Sequence, residues 1–253
     1  LGWGWAPLVG ARLERPERGE RMLFSRLKQW EEAGERPPPR TVGVDPADAR
    51  AALDRLTGRA EAREGQRAMA EAVTQVFARK RTKDSPNLLL AEAGTGIGKT
   101  LGYLSPATLW ARRNDGAVWV STFTKNLQRQ LDQELTRVFP DPGEKREKVA
   151  IRKGRENYLC LLNFQEAVMR TGLVPENAVG LGLLARWALA SRDGDMIGGD
   201  LPAWLLDLMG RSRIQRLADR RGECIYSACE HYRKCFVERT IRRARQADIV
   251  IAN

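Results

Sequence analysis

The sequence predicts an α/β fold, a parallel sheet with helices on both faces, broken by a helix-rich insertion. Three observations carry this. Short β-rich runs (Val118-Trp119-Val120, Val149-Ala150-Ile151, Ile249-Val250-Ile251) alternate with stretches of helical periodicity. An apolar run, a glycine-rich loop and a helix-compatible run follow one another over residues 88–104. Across residues 155–245 the alternation stops, and all four cysteines fall inside that interval.

In chain order, residues 1–60 read as a peripheral extension. Trp3 and Trp5 open it, an Arg-rich mixed-charge stretch covers residues 12–36, and Pro37-Pro38-Pro39 stiffens a linker. Asp45-Pro46 then starts a helix, with Asp as cap and Pro at its first position, that runs to about Leu56 before Gly58. No chemistry is legible in this extension. Residues 61–82 read as a helix, with Ala68, Ala72, Val73, Val76 and Phe77 on one face. Leu88-Leu89-Leu90 is the first expected strand and residues 117–121 the second. Residues 125–138 read as a helix carrying Leu127, Leu131 and Leu135. A charged loop over 141–148 leads to a third strand at 149–151, and residues 248–252 form a fourth. The expected division is therefore an extension (1–60), the first part of the α/β domain (61–154), the insertion (155–245) and a return strand (246–253).

The 253 residues suffice for one large domain or two smaller ones. Hydrophobic residues at 42% and charged residues at 30% indicate a globular protein. The longest apolar candidate, 178–190, is interrupted by Arg186 and falls short of the roughly 20 residues that cross a bilayer. Residues 1–9 are apolar but lack a basic leader and a cleavage site, so a cytoplasmic protein is expected, in which cysteines serve metals more often than disulfides. Lys and Arg outnumber Asp and Glu by 43 to 32, a net charge of +11 that favours a polyanion partner.

The loop Ala93-Gly94-Thr95-Gly96-Ile97-Gly98-Lys99-Thr100 carries the clearest chemistry. Glycines let backbone N–H groups wrap a phosphate chain, the following helix adds a partial positive charge, Lys99 adds a full one, and the Thr100 hydroxyl suits Mg2+. Ala93 stands where this nucleotide-triphosphate pattern asks for glycine. The cysteines are Cys160 and then Cys224, Cys229 and Cys235 in a C-x4-C-x5-C array. Four thiolates serve zinc or an iron–sulfur cluster. The wide gaps favour the cluster over zinc, and unligated buried thiols are the third reading. His231 lies inside the triplet and reads as a neighbour rather than a ligand.

These pieces, in this order, resemble the XPD/DinG family of iron–sulfur superfamily-two DNA helicases, in particular its bacterial DinG-like branch. The resemblance rests on residues 92–100, Ser121-Thr122-Phe123-Thr124-Lys125-Asn126-Leu127-Gln128-Arg129-Gln130-Leu131, Lys153-Gly154-Arg155-Glu156-Asn157-Tyr158-Leu159-Cys160, the cysteine triplet and Ala247-Asp248-Ile249-Val250-Ile251-Ala252-Asn253. It implies a RecA-like motor domain holding ATP and Mg2+, with a [4Fe-4S] insertion ligated by Cys160, Cys224, Cys229 and Cys235. It makes Arg63 and Gln66 an adenine-reading motif upstream of the 93–100 loop, although an exposed place on the 61–82 helix explains Gln66 as well, with Lys99 and Thr100 at the catalytic phosphates. Thr122, Thr124, Lys125, Gln128, Arg155 and Tyr158 are then expected to contact single-stranded or forked DNA, although strand-end capping explains Thr122 and Thr124 as well, and packing explains Tyr158. It further implies 5′–3′ translocation by a monomer. The family's Asp-Glu box after the fourth strand is absent before Asn253, and the chain opens on Leu1, so a fragment of a longer helicase is expected. A nucleic-acid-binding module with a vestigial loop is the alternative; a kinase or GTPase with a zinc insert lacks an acceptor-site signal.

Overall fold

A computed structural model describes residues 24–58, 63–80, 85–173, 177–220 and 222–253. Two compact units emerge. One joins residues 31–154 to Arg239–Asn253; the other joins residues 24–30 to Arg155–Glu238. The expected extension is thus divided between the units, and its Trp3, Trp5 and residues 12–23 lie outside the described residues.

The first unit is built on three parallel strands, β1 (Val118–Ser121), β2 (Val149–Arg152) and β3 (Ile249–Ala252), in the order β1-β3-β2. Val118 and Val149 both pair with Ile249, which puts β3 at the centre. Because strand side chains alternate, β3 serves two cores. Ile249 and Ile251 join Leu101, Leu104, Leu131 and Leu135 on one face, while Val250 meets Ala150, Ala244 and Ala247 on the other. The larger core takes helices α1 (Pro46–Thr57), α2 (Glu64–Val73), α3 (Lys99–Asn114) and α4 (Lys125–Val138). The Asp45 carboxylate accepts from Ala47 N at 2.8 Å, and Gly58 ends α1 at φ +73°, the start and stop read from the sequence.

Three expectations fail here for local reasons. Leu88-Leu89-Leu90 forms no strand, and Leu88 and Leu90 are 82% and 88% exposed. Leucine lacks the β-branched preference for a pleated surface, and both sides of the central strand are already taken. The 61–82 helix stops early: α2 tightens into a 3-10 turn over Thr74–Phe77, where Thr74 Oγ1 donates back to Glu71 O at 2.6 Å. Residues 61, 62, 81 and 82 of that helix lie outside the described residues. The charged 141–148 loop is a helix, α5 (Pro142–Lys148), whose N-cap Asp141 accepts from Glu144 N at 2.6 Å.

The second unit is helical, with α6 (Leu161–Met169), α7 (Ala178–Ala190), α8 (Ala203–Met209) and α9 (Arg211–Arg216). Leu159, Phe164, Leu184, Met196, Leu205 and Phe236 form its centre, and Phe24 and Leu27 pack into the same core. Helix α10 (Phe236–Gln246) follows the cysteine triplet and leads back to β3. Among the described residues no helix is long and apolar enough to cross a membrane.

Candidate functional site

The glycine loop turns over residues 95–97 and hands directly to α3 at Lys99. Gly96 and Gly98 sit at φ +80° and +82°, where an L side chain is strained. Gly98 also admits a close approach: the Gln66 amide donates to Gly98 O at 2.7 Å, and a Cβ on Gly98 would lie 2.4 Å from Gln66 Nε2. Gln66 is buried, and the Arg63 guanidinium donates to Gly96 O. The two residues expected to read adenine therefore rest on the loop expected to hold the phosphates. Lys99 Nζ donates to Ala93 O at 2.8 Å and Gly94 O at 2.7 Å, so its ammonium is held by the loop's own carbonyls.

Arg63, Gln66, Gly96, Ile97, Gly98 and Thr100 line a cleft of about 560 Å3. Ala93, Gly94, Thr95 and Lys99 do not line it. Thr100 hydrogen-bonds Tyr103, whose phenol burial pushes above its ordinary value while that bond works against the shift. Glu134 and Arg137 of α4 also face the cleft, with Arg137 Nε 3.6 Å from Glu134 Oε2. The sequence offered no signal for these two, because only the packing of α4 brings them there.

At the end of β1, Thr122 N and Oγ1 both donate to Ala252 O, at 2.8 and 3.2 Å. Thr124 caps α4, its hydroxyl accepting from Leu127 N at 3.2 Å, and Lys125 is exposed at the helix start. Gln128 is 1% exposed and donates to Arg152 O and Ile251 O. Its amide bridges β2 and β3, so in this conformation it is inaccessible to a strand. Phe123 is 95% exposed.

In the helical unit the four cysteines are half-buried, unpaired by disulfides, and together line one cavity of about 50 Å3. Cys160 caps α6, and its N–H donates to Leu217 O at 2.9 Å. The 3-10 turns Tyr226–Ala228 and Tyr232–Lys234 end at Cys229 and Cys235, each of whose N–H groups is bonded three residues back. Burial pushes the Cys160 and Cys235 thiols up. Among the described residues no three His, Cys, Asp or Glu side chains gather closely enough to hold a single metal ion. Arg155 pairs with buried Asp219, covers the Tyr226 ring at 5.0 Å and reaches the cavity. Tyr158 is 2% exposed, so packing and not base stacking is its role in this conformation.

The triplet is clamped by neighbours. His231 Nε2 donates to Gln165 Oε1 at 2.6 Å, and Gln165 Nε2 donates to Glu230 Oε1 at 2.8 Å. Burial lowers the His231 pKa, and its ring nitrogen Nε2 is engaged with Gln165. The expected extension supplies more. Lys234 Nζ donates to Phe24 O at 2.6 Å, Trp30 Nε1 donates to Tyr232 O at 2.7 Å, and Phe24 meets His231 edge-on at 5.3 Å.

No family model matches the chain. It is similar to the ATP-dependent DNA helicase YoaA of Escherichia coli, 36% identical over 197 residues, 76% of this chain and 28% of that one. It is similar to the ATP-dependent helicase DinG of Mycobacterium tuberculosis, 35% identical over 210 residues, 76% of this chain and 30% of that one. A protein named 3′-5′ exonuclease DinG, from Bacillus subtilis, is 33% identical over 206 residues, 80% of this chain and 20% of that one. The chain spans less than a third of the length of these relatives.

Proposed function

We infer that this chain, a homologue of part of the DinG- and YoaA-type proteins, is the nucleotide-holding portion of an ATP-dependent DNA helicase that acts in the cytoplasm on single-stranded or forked DNA. One observation carries the reading: α2 and the glycine loop, 32 positions apart in sequence at Gln66 and Gly98, are hydrogen-bonded on a single cleft. Arg63, Gln66 and the N-terminus of α3 line one cleft, in which a base and its phosphate chain are to be held side by side. The backbone N–H groups and dipole there favour phosphates, and the Thr100 hydroxyl is the Mg2+ ligand on offer. Lys99 exchanges its two carbonyl acceptors for phosphate oxygens when ATP enters. Hydrolysis also requires a magnesium-binding carboxylate and transition-state arginines, which the longer relatives' remaining length is expected to supply. Opening and closing of the motor on DNA, with 5′–3′ polarity, is the family's mode of action and is proposed here on that resemblance.

The donor set fits a [4Fe-4S] cluster. Four thiols line one small cavity, the number and kind of ligand that such a cluster takes. Cys160, Cys224, Cys229 and Cys235 would hold such a cluster, which would cross-link the 224–235 loop to the start of α6. Arg155 lies beside the cavity with a guanidinium able to meet DNA phosphate or to balance a negatively charged cluster.

The second reading is a nucleic-acid-binding module that no longer turns over ATP. It is favoured by the closure of the loop on its own lysine and by the exonuclease name of one relative. ATP titration of the chain separates the two. Loss of the Lys99 ammonium is expected to weaken binding by about ten- to a hundredfold in Lys99→Ala, the worth of one charged hydrogen-bonding group. Equal binding by both proteins refutes the assigned site, and no binding by either favours the module.

A further inference from the structure

The helical unit holds a second cleft, about 430 Å3, that neither the cysteines nor the nucleotide loop uses. Its walls carry four guanidinium groups: Arg170 just after α6, Arg213 and Arg216 on α9, and Arg220 beyond it. Arg170 lies 3.5 Å from Glu166, and Glu223 is the other carboxylate on the wall. Among the described residues Arg213, Arg216 and Arg220 have no ion-pair or side-chain hydrogen-bond partner, and all three are exposed. Cationic groups left unpaired around a concavity are held ready for an anion from outside.

The floor is apolar and rigid. Leu181, Met209 and Leu217 belong to the packed core of this unit and are 5–7% exposed. Gly180 of α7 lets Met209 lie close, since a Cβ there would come within 3.0 Å of Met209 Cγ. An apolar floor with a polarizable thioether offers contact to an aromatic ring. At the edge, Asn177 makes no capping bond for α7, and Asn163 spends its amide N–H on Ala218 O at 2.8 Å, leaving its carbonyl. Arg213 and Arg216 are one turn apart on one helix face, about 5–6 Å between Cβ atoms, so both forks can engage neighbouring phosphates of one ligand.

We propose that this cleft is a single-strand nucleic-acid site, its arginines taking consecutive phosphates and its floor taking one base. The proposal rests on the reading of the chain as part of a DNA-handling protein, and adds a strand-holding surface none of whose residues the sequence singled out. The net charge of +11 and four arginines on one wall favour a polyanion strand over a single compact anion. Free nucleotide or an acidic peptide are the competing occupants.

The test is fluorescence anisotropy of a labelled oligothymidylate of about 20 nucleotides, enough to span such a site, with the whole chain. Arg213→Ala/Arg216→Ala is compared with Arg213→Lys/Arg216→Lys and the unsubstituted chain, after thermal melts establish equal folding. The alanine pair is expected to bind about tenfold or more weakly at 0.1 M salt, with a log–log salt slope shallower by about 1.4, two contacts at 0.7 each. The lysine pair should keep the slope and lose part of the affinity, since charge survives but the bidentate fork does not. ATP binding should be unchanged in both. Unaltered oligonucleotide affinity and slope overturn the cleft alone. Absence of oligonucleotide binding by the unsubstituted chain overturns the DNA-handling reading with it. Loss confined to thymidine monophosphate, or to an aspartate-rich peptide, overturns the strand assignment in favour of that ligand.

Discussion

Gly98→Ala tests whether α2 and the glycine loop work as one device. Two costs are legible. At φ +82° a Cβ costs about 1–2 kcal/mol. The new methyl would also lie 2.4 Å from Gln66 Nε2 and 3.0 Å from its Cδ. That side chain can rotate away, so the collision itself is relieved cheaply. Its relief leaves a 4%-exposed amide and the Gly98 carbonyl without each other, a loss of about 1–3 kcal/mol. The sum, about 2–5 kcal/mol, falls on the ATP-ready form of the loop and corresponds to a loss of affinity of about 30-fold to a few thousandfold. Calorimetric ATP titration of Gly98→Ala, Gln66→Ala and the double variant resolves the two terms. In the Gln66→Ala background only the backbone strain remains, so Gly98→Ala should cost about 1–2 kcal/mol there, well below its effect in the parent. Strict additivity of the two substitutions, or parental affinity in Gly98→Ala, refutes the reasoning.

Two further outcomes are expected. Anaerobically prepared protein should contain iron and absorb broadly near ~400 nm, and Cys229→Ser should lose both and expose the helical unit to trypsin, since ligand bonds act as folding energy; a colourless parent with stoichiometric zinc would reverse the cluster reading. Arg36→Ala should destabilise the α/β unit by about 1–3 kcal/mol in urea melts, because Asp248, 3% exposed, loses its 2.7 Å partner and keeps only Lys148 at 3.4 Å; an unchanged midpoint would return the 31–44 segment to the status of an appendage.

The site was legible in sequence where local chemistry decides it. Gly98 and Gly96 are glycines because their backbone angles demand it, and Thr124 precedes α4 because a hydroxyl there satisfies an orphan N–H. Asp141-Pro142 repeats the Asp45-Pro46 start but is followed by charges and not by apolar periodicity, so its helix is hidden in the sequence. Leu88-Leu89-Leu90 misled in the opposite sense, since apolar content alone does not provide a neighbouring strand.

Residue types and short spacings settle the glycine loop, the caps and the β-branched strands, because each depends on atoms within a few positions. Which long-range partners meet is another matter. Gln128 is expected by resemblance at the DNA and ends up between two strands; Trp30 lies in the Arg-rich mixed-charge stretch of the extension and ends up bonded to the cysteine turn. Arg213 and Arg216 read as ordinary surface charge until the Leu181, Met209 and Leu217 floor gives them a concavity to line. These placements follow from packing, in which a side chain's surroundings are set largely by other segments of the chain, and no local pattern records them.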